Sequence, residues 1–342
     1  MSRSVIFILL ALAGLALFAL ELLWGQADLG ADQIRQWLTG DPDLKAGAAL
    51  ILGEVRLPRA LTALLAGSGL AVSGLLMQTY FRNPLAGPSV LGITSGASVG
   101  VALLMLVMGG PALLFQTLGV AGPLAVALAA LLGALGVLVL LLAFSRRLGD
   151  QVALLIVGLM LGYLAGSAVS VLEYVADEGA LRRYVLWGMG SFAQVGWNAL
   201  RWLALAWVVG MVTVAVIYRK LDALLLGDAY AQSLGVPVKQ TRRLMFVATG
   251  ILAGVITAFC GPVAFLGLAV PHIGRFLLGT GKHNTLLPAS LLLGVVLALG
   301  CDLIARVPWS EGSLPLNAVT SMLGAPVVLA LVLRGRRLGR LF

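Results

Sequence analysis

The stretch ALTALLAGSGLAVSGLLM, Ala60–Met77, carries no charge and no proline over a length that suits one crossing of a lipid bilayer. A helical span needs about 20 apolar residues, because the hydrocarbon core is about 30 Å thick and each residue advances the helix by about 1.5 Å. Small residues at Ala66, Gly67, Gly69 and Gly74 would let neighbouring helix backbones come close, which is how helices associate where lipid removes the hydrophobic drive to pack. The stretch is therefore predicted to be a membrane-spanning helix of a tight bundle.

The same character runs through the chain. Of 342 residues, 60% are hydrophobic and only 11% charged, against about a quarter charged in soluble domains. The mean hydropathy of +1.03 agrees. This is the composition of a polytopic membrane protein, and the length accommodates roughly ten spans. Backbone amides in lipid must be satisfied internally, and the apolar runs are too long and continuous for barrel strands, so the fold class is all-α. The 43 glycines point to a compact bundle, and residues 1–342 read as a single membrane domain.

Working outward from Ala60, RLPR (Arg56–Arg59) precedes the span, and QTYFRNPLAGP (Gln78–Pro88) follows it as a turn marked by Asn83-Pro84 and Gly87-Pro88. Upstream, an apolar run from Val5 to Trp24 is longer than a signal-peptide core and lacks a small-x-small cleavage site, so a retained first span is expected. Residues 26–54 are mixed and acidic, and read as an external loop with a short amphipathic helix near Ile34–Leu38. Downstream, span three is expected at Val90–Met108, where a Gly/Ser-rich face would meet other helices or line a passage. Spans four and five follow at Leu118–Phe144 and Val152–Leu172, and span six ends near Ile217. Spans seven to ten are placed at Leu244–Cys260, within Gly261–Arg275, at Leu286–Ala305 and at Val319–Leu333. Between spans five and six, Tyr174, Tyr184, Trp187, Phe192 and Trp197 suit an interfacial aromatic belt. Cys260 and Cys301 read as buried small apolar residues, since their spacing suggests neither a disulfide framework nor a metal site.

With residue 1 in the cytoplasm, ten spans place fifteen of the 23 Lys and Arg inside and eleven of the 14 carboxylates toward the outside. The positive-inside rule then puts both termini, and the basic segment Tyr218–Arg243, in the cytoplasm. The net charge of +9 is accounted for by this asymmetry and needs no nucleic-acid partner. GPSVLG (Gly87–Gly92) and GPVAFLG (Gly261–Gly267) are similar breaker patterns separated by five spans, which would set them on opposite sides of the membrane, as in an inverted repeat.

Missing motifs narrow the function. No G-x-x-x-x-G-K-[ST] phosphate loop occurs; the nearest string, GTGKH at Gly279–His283, lacks the spacing and the hydroxyl. The chain is not expected to hydrolyse ATP, and no zinc-protease or Ser/His/Asp motif suggests another enzyme. No cofactor or metal site is expected. Ion-coupled carriers need a titratable group deep in the bundle, whereas Glu21, Glu173 and Asp302 fall toward the outer ends of their spans. Asp302 and Arg306 read as a local ion pair, and His272 and Arg275 as structural or interface residues. A secondary transporter working alone is the alternative reading.

What remains is a passage without its own energy source and a polar segment suited to docking. In LDALLLGDAYAQSLGV, apolar residues recur at helical spacing up to Leu225 and again at Ala231 and Leu234. Gly227 would break the pattern, Asp228 would cap a second helix, and Gly235 with Pro237 would end it. Two short helices with a turn between them would form a compact knob.

Five motifs in order, RLPR, FRNPLAGPSVLGITSGA (Phe81–Ala97), GDAYAQSLGV (Gly227–Val236), GPVAFLGLAVPHIGR (Gly261–Arg275) and LGAPV (Leu323–Val327), resemble the FecCD-type permeases. These are membrane subunits of bacterial ABC importers for iron-siderophores, haem and cobalamin. The resemblance runs from about Arg56 to the C-terminus. It implies a ten-helix permease of the type II importer fold in the bacterial inner membrane, working as a homodimer. Its partners would be two cytoplasmic ATP-binding subunits, which use the ATP and magnesium, and a periplasmic or extracellular substrate-binding protein. Carried onto this chain, Gly227, Asp228, Ala231, Leu234 and Gly235 resemble the ATPase coupling element. Arg56 and Arg59, with Arg306 as a third, resemble exposed arginines that receive carboxylates of the binding protein, as bidentate guanidinium chemistry favours. Asn83 and Leu85 resemble an inner gate, completed at the entry to span five by Gln151 and Val152, where relatives lead one to expect small hydroxyl residues. Siderophore iron is the default cargo, with haem and cobalamin behind it.

Overall fold

The computed structural model describes residues 2–25, 27, 29–41, 43–108, 122–148, 150–306 and 313–333. The expected start of span four at Leu118 and the basic tail from Arg334 lie outside the described residues. The described elements are α1 (Arg3–Leu23), α2 (Ala31–Thr39), α3 (Ala46–Phe81), α4 (Ile93–Val107), α5 (Gly122–Arg147), α6 (Gln151–Val175) and α7 (Glu178–Gly188), followed by α8 (Trp197–Leu225), α9 (Asp228–Ser233), α10 (Val238–Cys260), α11 (Leu266–Leu278), α12 (His283–Ala305) and α13 (Leu316–Leu333). Among the described residues there is no strand. Seven of these helices are long and apolar enough to cross a membrane, and α4, α11 and α13 are shorter apolar helices at the places of spans three, eight and ten.

The centre of the bundle is α3, the most buried of the long helices. It packs along α12, α10, α11 and α8. Glycines permit this. A methyl group at Gly67 would overlap the Gly294 carbonyl of α12, one at Gly294 would overlap the Gly67 carbonyl, and one at Gly74 would strike the backbone of Gly267 in α11. The bundle is thus assembled by backbone-to-backbone approach. The α3–α12 seam is antiparallel with polar clasps at both ends. Eight residues before Gly67, Arg59 meets Asp302, eight residues beyond Gly294; at the other end Thr79 meets His283.

Several expectations change. The helix carrying Ala60–Met77 begins at Ala46, so RLPR lies inside it and the external loop is shorter than residues 26–54. Residues Ile51–Arg56 form a π-helical turn just before Pro58, whose ring cannot sit in a regular helix interior. The Gly/Ser-rich face of span three meets another helix, one of the two roles expected of it: Gly96 and Gly100 pack onto the backbone of Gly133 and Ala129 in α5. The expected aromatic belt is largely internal. Tyr184 and Trp187, on the new helix α7, and Phe192 after it are buried, while Tyr174 is 91% exposed.

The two breaker segments come together. GPVAFLG starts beside Gly190 at one end of the bundle, and GPSVLG starts from the opposite end of α3. They meet where Pro88 Cδ lies 3.2 Å from a Cβ built on Gly267 and Leu268 lies 3.8 Å from one on Gly87. At the turn into α11, Phe265 adopts a left-handed conformation (φ 64°), which is unusual for a residue with a side chain, and Gly324 of α13 leaves room for its ring. Asn317 of α13 clamps this turn by accepting from the Ala264 amide at 3.1 Å and donating its own amide to the Met189 carbonyl at 3.0 Å.

Gly67→Leu would force α3 and α12 apart, because the clash is with backbone. We expect loss of the monodisperse detergent-solubilised species on size exclusion, a penalty at or above the usual overpacking range of about 1–3 kcal/mol. Gly136→Leu, where nothing lies within 4 Å, should elute as the parent does.

Candidate functional site

The basic end of the bundle is built around a short elbow. Helix α8 runs straight to Leu225, well past the expected end near Ile217, so the first of the two anticipated short helices is the last part of α8. The elbow proper is residues 226–237, with α9 at its centre. Gly227 turns the chain at φ 115° and Gly235 closes α9 at φ 76°, both in the region that favours glycine. The Val236 amide returns to the Ala231 carbonyl at 3.0 Å and the Gly235 amide to Gln232 at 2.9 Å, an arrangement of the Schellman kind. Ala231 is fully buried, whereas Leu226, Tyr230 and Leu234 are each at least half exposed.

Asp228 does not cap α9. The capping position is Gly227, and the Asp228 carboxylate instead accepts from Arg82 at 2.5 Å and from Arg242 at 2.8 Å. Arg82 Nε also donates to the Leu224 carbonyl at the end of α8 (2.9 Å), and Arg242 lies over the Tyr80 ring. Charge attraction wins here because two guanidiniums converge on one carboxylate at the first turn of α9. The elbow is thereby tied to the end of α3 and the start of α10.

Further clasps hold the same end. His283 Nδ1 and its backbone amide both reach Asp222 Oδ1 (2.6 and 2.9 Å), and Nε2 reaches the Thr79 hydroxyl at 2.7 Å. In α11, His272 Nε2 contacts the Pro84 carbonyl at 2.7 Å, and Arg275 donates to Gln78 Oε1 at 2.6 Å while Gln78 donates to the Leu268 carbonyl at 3.1 Å. His272 and Arg275 are both buried and held by these contacts. Asn83 makes a local turn by accepting from the Leu85 amide at 2.9 Å. Leu85 and Val152 are exposed and Gln151 is half-buried. Asp150 caps α6 through the amides of Val152 and Ala153.

At the far end of the bundle the three arginines are placed differently from expectation. Arg56 is 3% exposed and donates to the carbonyls of Leu22, Leu23 and Ala27. Arg306 is 8% exposed, pairs with Asp302 and with Glu21, and donates to the Glu21 and Trp24 carbonyls. Arg59 forms a bidentate pair with Asp302, at 2.8 and 2.9 Å. The expected exposed row is thus a buried cluster. Its physical reason is the end of α1, whose last carbonyls lack intrahelical partners and are satisfied by Arg56 and Arg306. The Asp302–Arg306 pair is present as expected, but as part of this wider network. Among the described residues no three His, Cys, Asp or Glu side chains gather as a metal site, and Cys260 and Cys301 are buried free thiols.

The sequence reading passed over Arg82, Arg242, Asp222 and Thr79, which hold the basic end together. Arg82, directly after a long apolar helix, and Asp222, inside a basic run, were the available signals.

The model of the FecCD transport family matches residues 10–334. The chain belongs to the FecCD transport family. Among curated relatives, this FecCD chain is 40% identical to the vitamin B12 import system permease BtuC of Klebsiella pneumoniae over 304 residues, covering 89% of this chain and 88% of the relative. It is 37% identical to BtuC of Salmonella paratyphi A, over 88% of this chain and 89% of that one. A solved ABC transporter assigned to the metal-chelate type, in an inward-facing conformation, superposes with a TM-score of 0.83 at 30% identity, covering 96% of this chain and 99% of that one. The ABC transporter permease fold expected from the motifs is the fold observed.

Two substitutions separate the clasps. Asp228→Ala removes pairs that are partly exposed and worth about 0.2–1 kcal/mol each. The protein should stay folded while amide exchange across α9 accelerates, and unchanged exchange there would show that packing alone holds the elbow. Asp302→Ala strands Arg59 and leaves Arg306 with Glu21 as its remaining carboxylate, at a cost of about 3–5 kcal/mol. A clear fall in the thermal midpoint in detergent is expected, partly recovered by adding Arg59→Met.

Proposed function

We propose that this FecCD protein is the membrane permease of a binding-protein-dependent ABC importer for a bulky metal chelate, with a cobalamin-class corrinoid as its first candidate cargo. The observation that carries the coupling part is the elbow. It offers an exposed apolar tip, Leu226, Tyr230 and Leu234, around a helix that two ion pairs, Asp228–Arg82 and Asp228–Arg242, bind to the bundle. A push on such a knob moves the ends of α3, α8 and α10 together, as a separate ATP-binding subunit would require. Gly227, Asp228, Ala231, Leu234 and Gly235 form the coupling element on this reading, and the chain supplies no phosphate loop of its own.

The cargo preference follows the relatives, whose names refer to vitamin B12 and to metal chelates. Nothing comparable favours siderophore iron or haem, so the default drawn from the motifs is replaced. The basic end faces the cytoplasm of a bacterial inner membrane, and the far end meets the external binding protein. There Arg59 is the most accessible of the three arginines, while Arg56 and Arg306 stiffen the docking platform from below. The exposed apolar residues of α6, among them Ile156, Met160, Tyr163 and Val171, suit a second copy of the chain, with the passage between the two copies. Asn83, Leu85, Gln151 and Val152 then form the cytoplasmic gate.

Two measurements in reconstituted vesicles test this. With its binding protein and ATP-binding subunits, the permease should drive ATP-dependent uptake of labelled cyanocobalamin and not of a ferric siderophore; the reverse preference would overturn the cargo. Gly235→Arg should abolish that uptake while leaving membrane insertion intact, and Gly235→Ala, which carries the same backbone strain without the bulk, should retain most of it. Full uptake by Gly235→Arg would remove the coupling role.

A further inference from the structure

A cavity of about 480 Å³ opens at the basic end between the α5–α6 turn, α9 and the start of α10. Its floor is apolar, made by Tyr80, Leu154 and Phe246, and its rim carries Arg146, Lys239 and Arg243. The two carboxylates that face it are already engaged: Asp228 by Arg82 and Arg242, and Asp150 by the first amides of α6. Among the described residues, no ion pair is formed by Arg146, Lys239 or Arg243. These three exposed cations give the mouth of the cavity a positive field that favours an anion.

The surface leading into the cavity says which anion. On α5, Leu128, Leu132, Leu135 and Val139 are exposed and recur every three or four residues. Leu142 and Arg146 continue the same helical face into the cavity wall. An apolar stripe about the length of an acyl chain therefore ends in a cationic cup at the level where headgroups lie. A second copy seated on this stripe by two-fold symmetry would bring its own Arg146 toward this one, which disfavours that occupant. Basic pockets between membrane helices on the cytoplasmic side are suited to phosphate-bearing lipid headgroups.

We propose that this cavity binds the phosphate headgroup of an anionic phospholipid, with an acyl chain along the Leu128–Val139 stripe of α5. Arg146, Lys239 and Arg243 supply the charge, and Gln151 supplies neutral hydrogen-bond donors at the rim. Because Asp228 and Gln232 of α9 form one wall, the bound headgroup braces the elbow against the α5–α6 turn. The site rests on the proposed orientation, with the basic end at the cytoplasmic face, and not on the cargo or coupling assignments, so its failure and theirs are distinguishable.

The test is native mass spectrometry of the full-length chain in detergent, titrated with phosphatidylglycerol or phosphatidylcholine. Each basic residue near an anionic surface contributes roughly fivefold in affinity, so Arg146→Gln/Lys239→Gln/Arg243→Gln should lose phosphatidylglycerol binding by about tenfold or more. Arg147→Gln, whose side chain is outside the cavity, should bind as the parent does, and thermal midpoints in lipid-free detergent confirm that the triple variant is folded. Three results would overturn the proposal: equal binding of the two lipids, undiminished phosphatidylglycerol binding by the triple variant, or stabilisation by inorganic phosphate through the same residues with no preference for lipid. Capture of an acidic protein by these residues in place of lipid would overturn it as well.

Discussion

The structure depends on the approach of α3 to α12 and α11 at Gly67–Gly294 and Gly74–Gly267. In lipid, apolar side chains gain nothing by leaving one hydrocarbon surface for another, so association rests on close van der Waals contact and on polar groups that find partners. Glycine supplies the first by removing the side chain from the seam. The second sits at the two ends of the same seam, Arg59–Asp302 and Thr79–His283, in one continuous antiparallel register. A slip of the register would break both clasps and drive the glycines against larger residues.

From that seam the two ends of the molecule acquire different characters. At the far end the charges are internal: Glu21, Arg59, Asp302 and Arg306 neutralise one another, and Arg56 completes the end of α1. At the basic end only part of the charge is neutralised. Arg82, Asp228 and Arg242 lock the elbow, while Arg146, Lys239 and Arg243 remain around a cavity. One end thus closes its charges in its own ion pairs, and the other leaves three cations at its surface. This difference fits a permease whose energy source and cargo delivery lie on opposite sides of the membrane.

The helices themselves were legible because a long charge-free run admits one reading in a bilayer, and Ala60–Met77 became part of the most buried helix. Helix ends were not. The polarity that suggested an end near Ile217 reflects residues such as Arg219 and Lys220 on a helix that continues to Leu225. Prolines and charges such as those of RLPR usually mark a helix boundary, yet here a π-turn admits Pro58 and buried carbonyls accept from Arg56. The residue types of the candidate site were also visible, with Gly227 and Gly235 both in conformations that favour glycine. The partner of Asp228 was not, since Arg82 is 146 residues away and no local pattern joins them.

Sequence alone determined the solvent this chain lives in, its all-helical class, the family whose motifs it carries and the location of its polar elbow. These follow from local composition and spacing, which act through hydropathy and backbone preference. Tertiary structure decided which charges are spent inside the protein and which are left to act. Asp302 captures Arg59 and Arg306, and Asp228 captures Arg82 and Arg242, while among the described residues Arg146, Lys239 and Arg243 form no ion pair. That division depends on distances between helices remote in the chain, and electrostatic attraction in a poorly polarisable interior is settled by those distances.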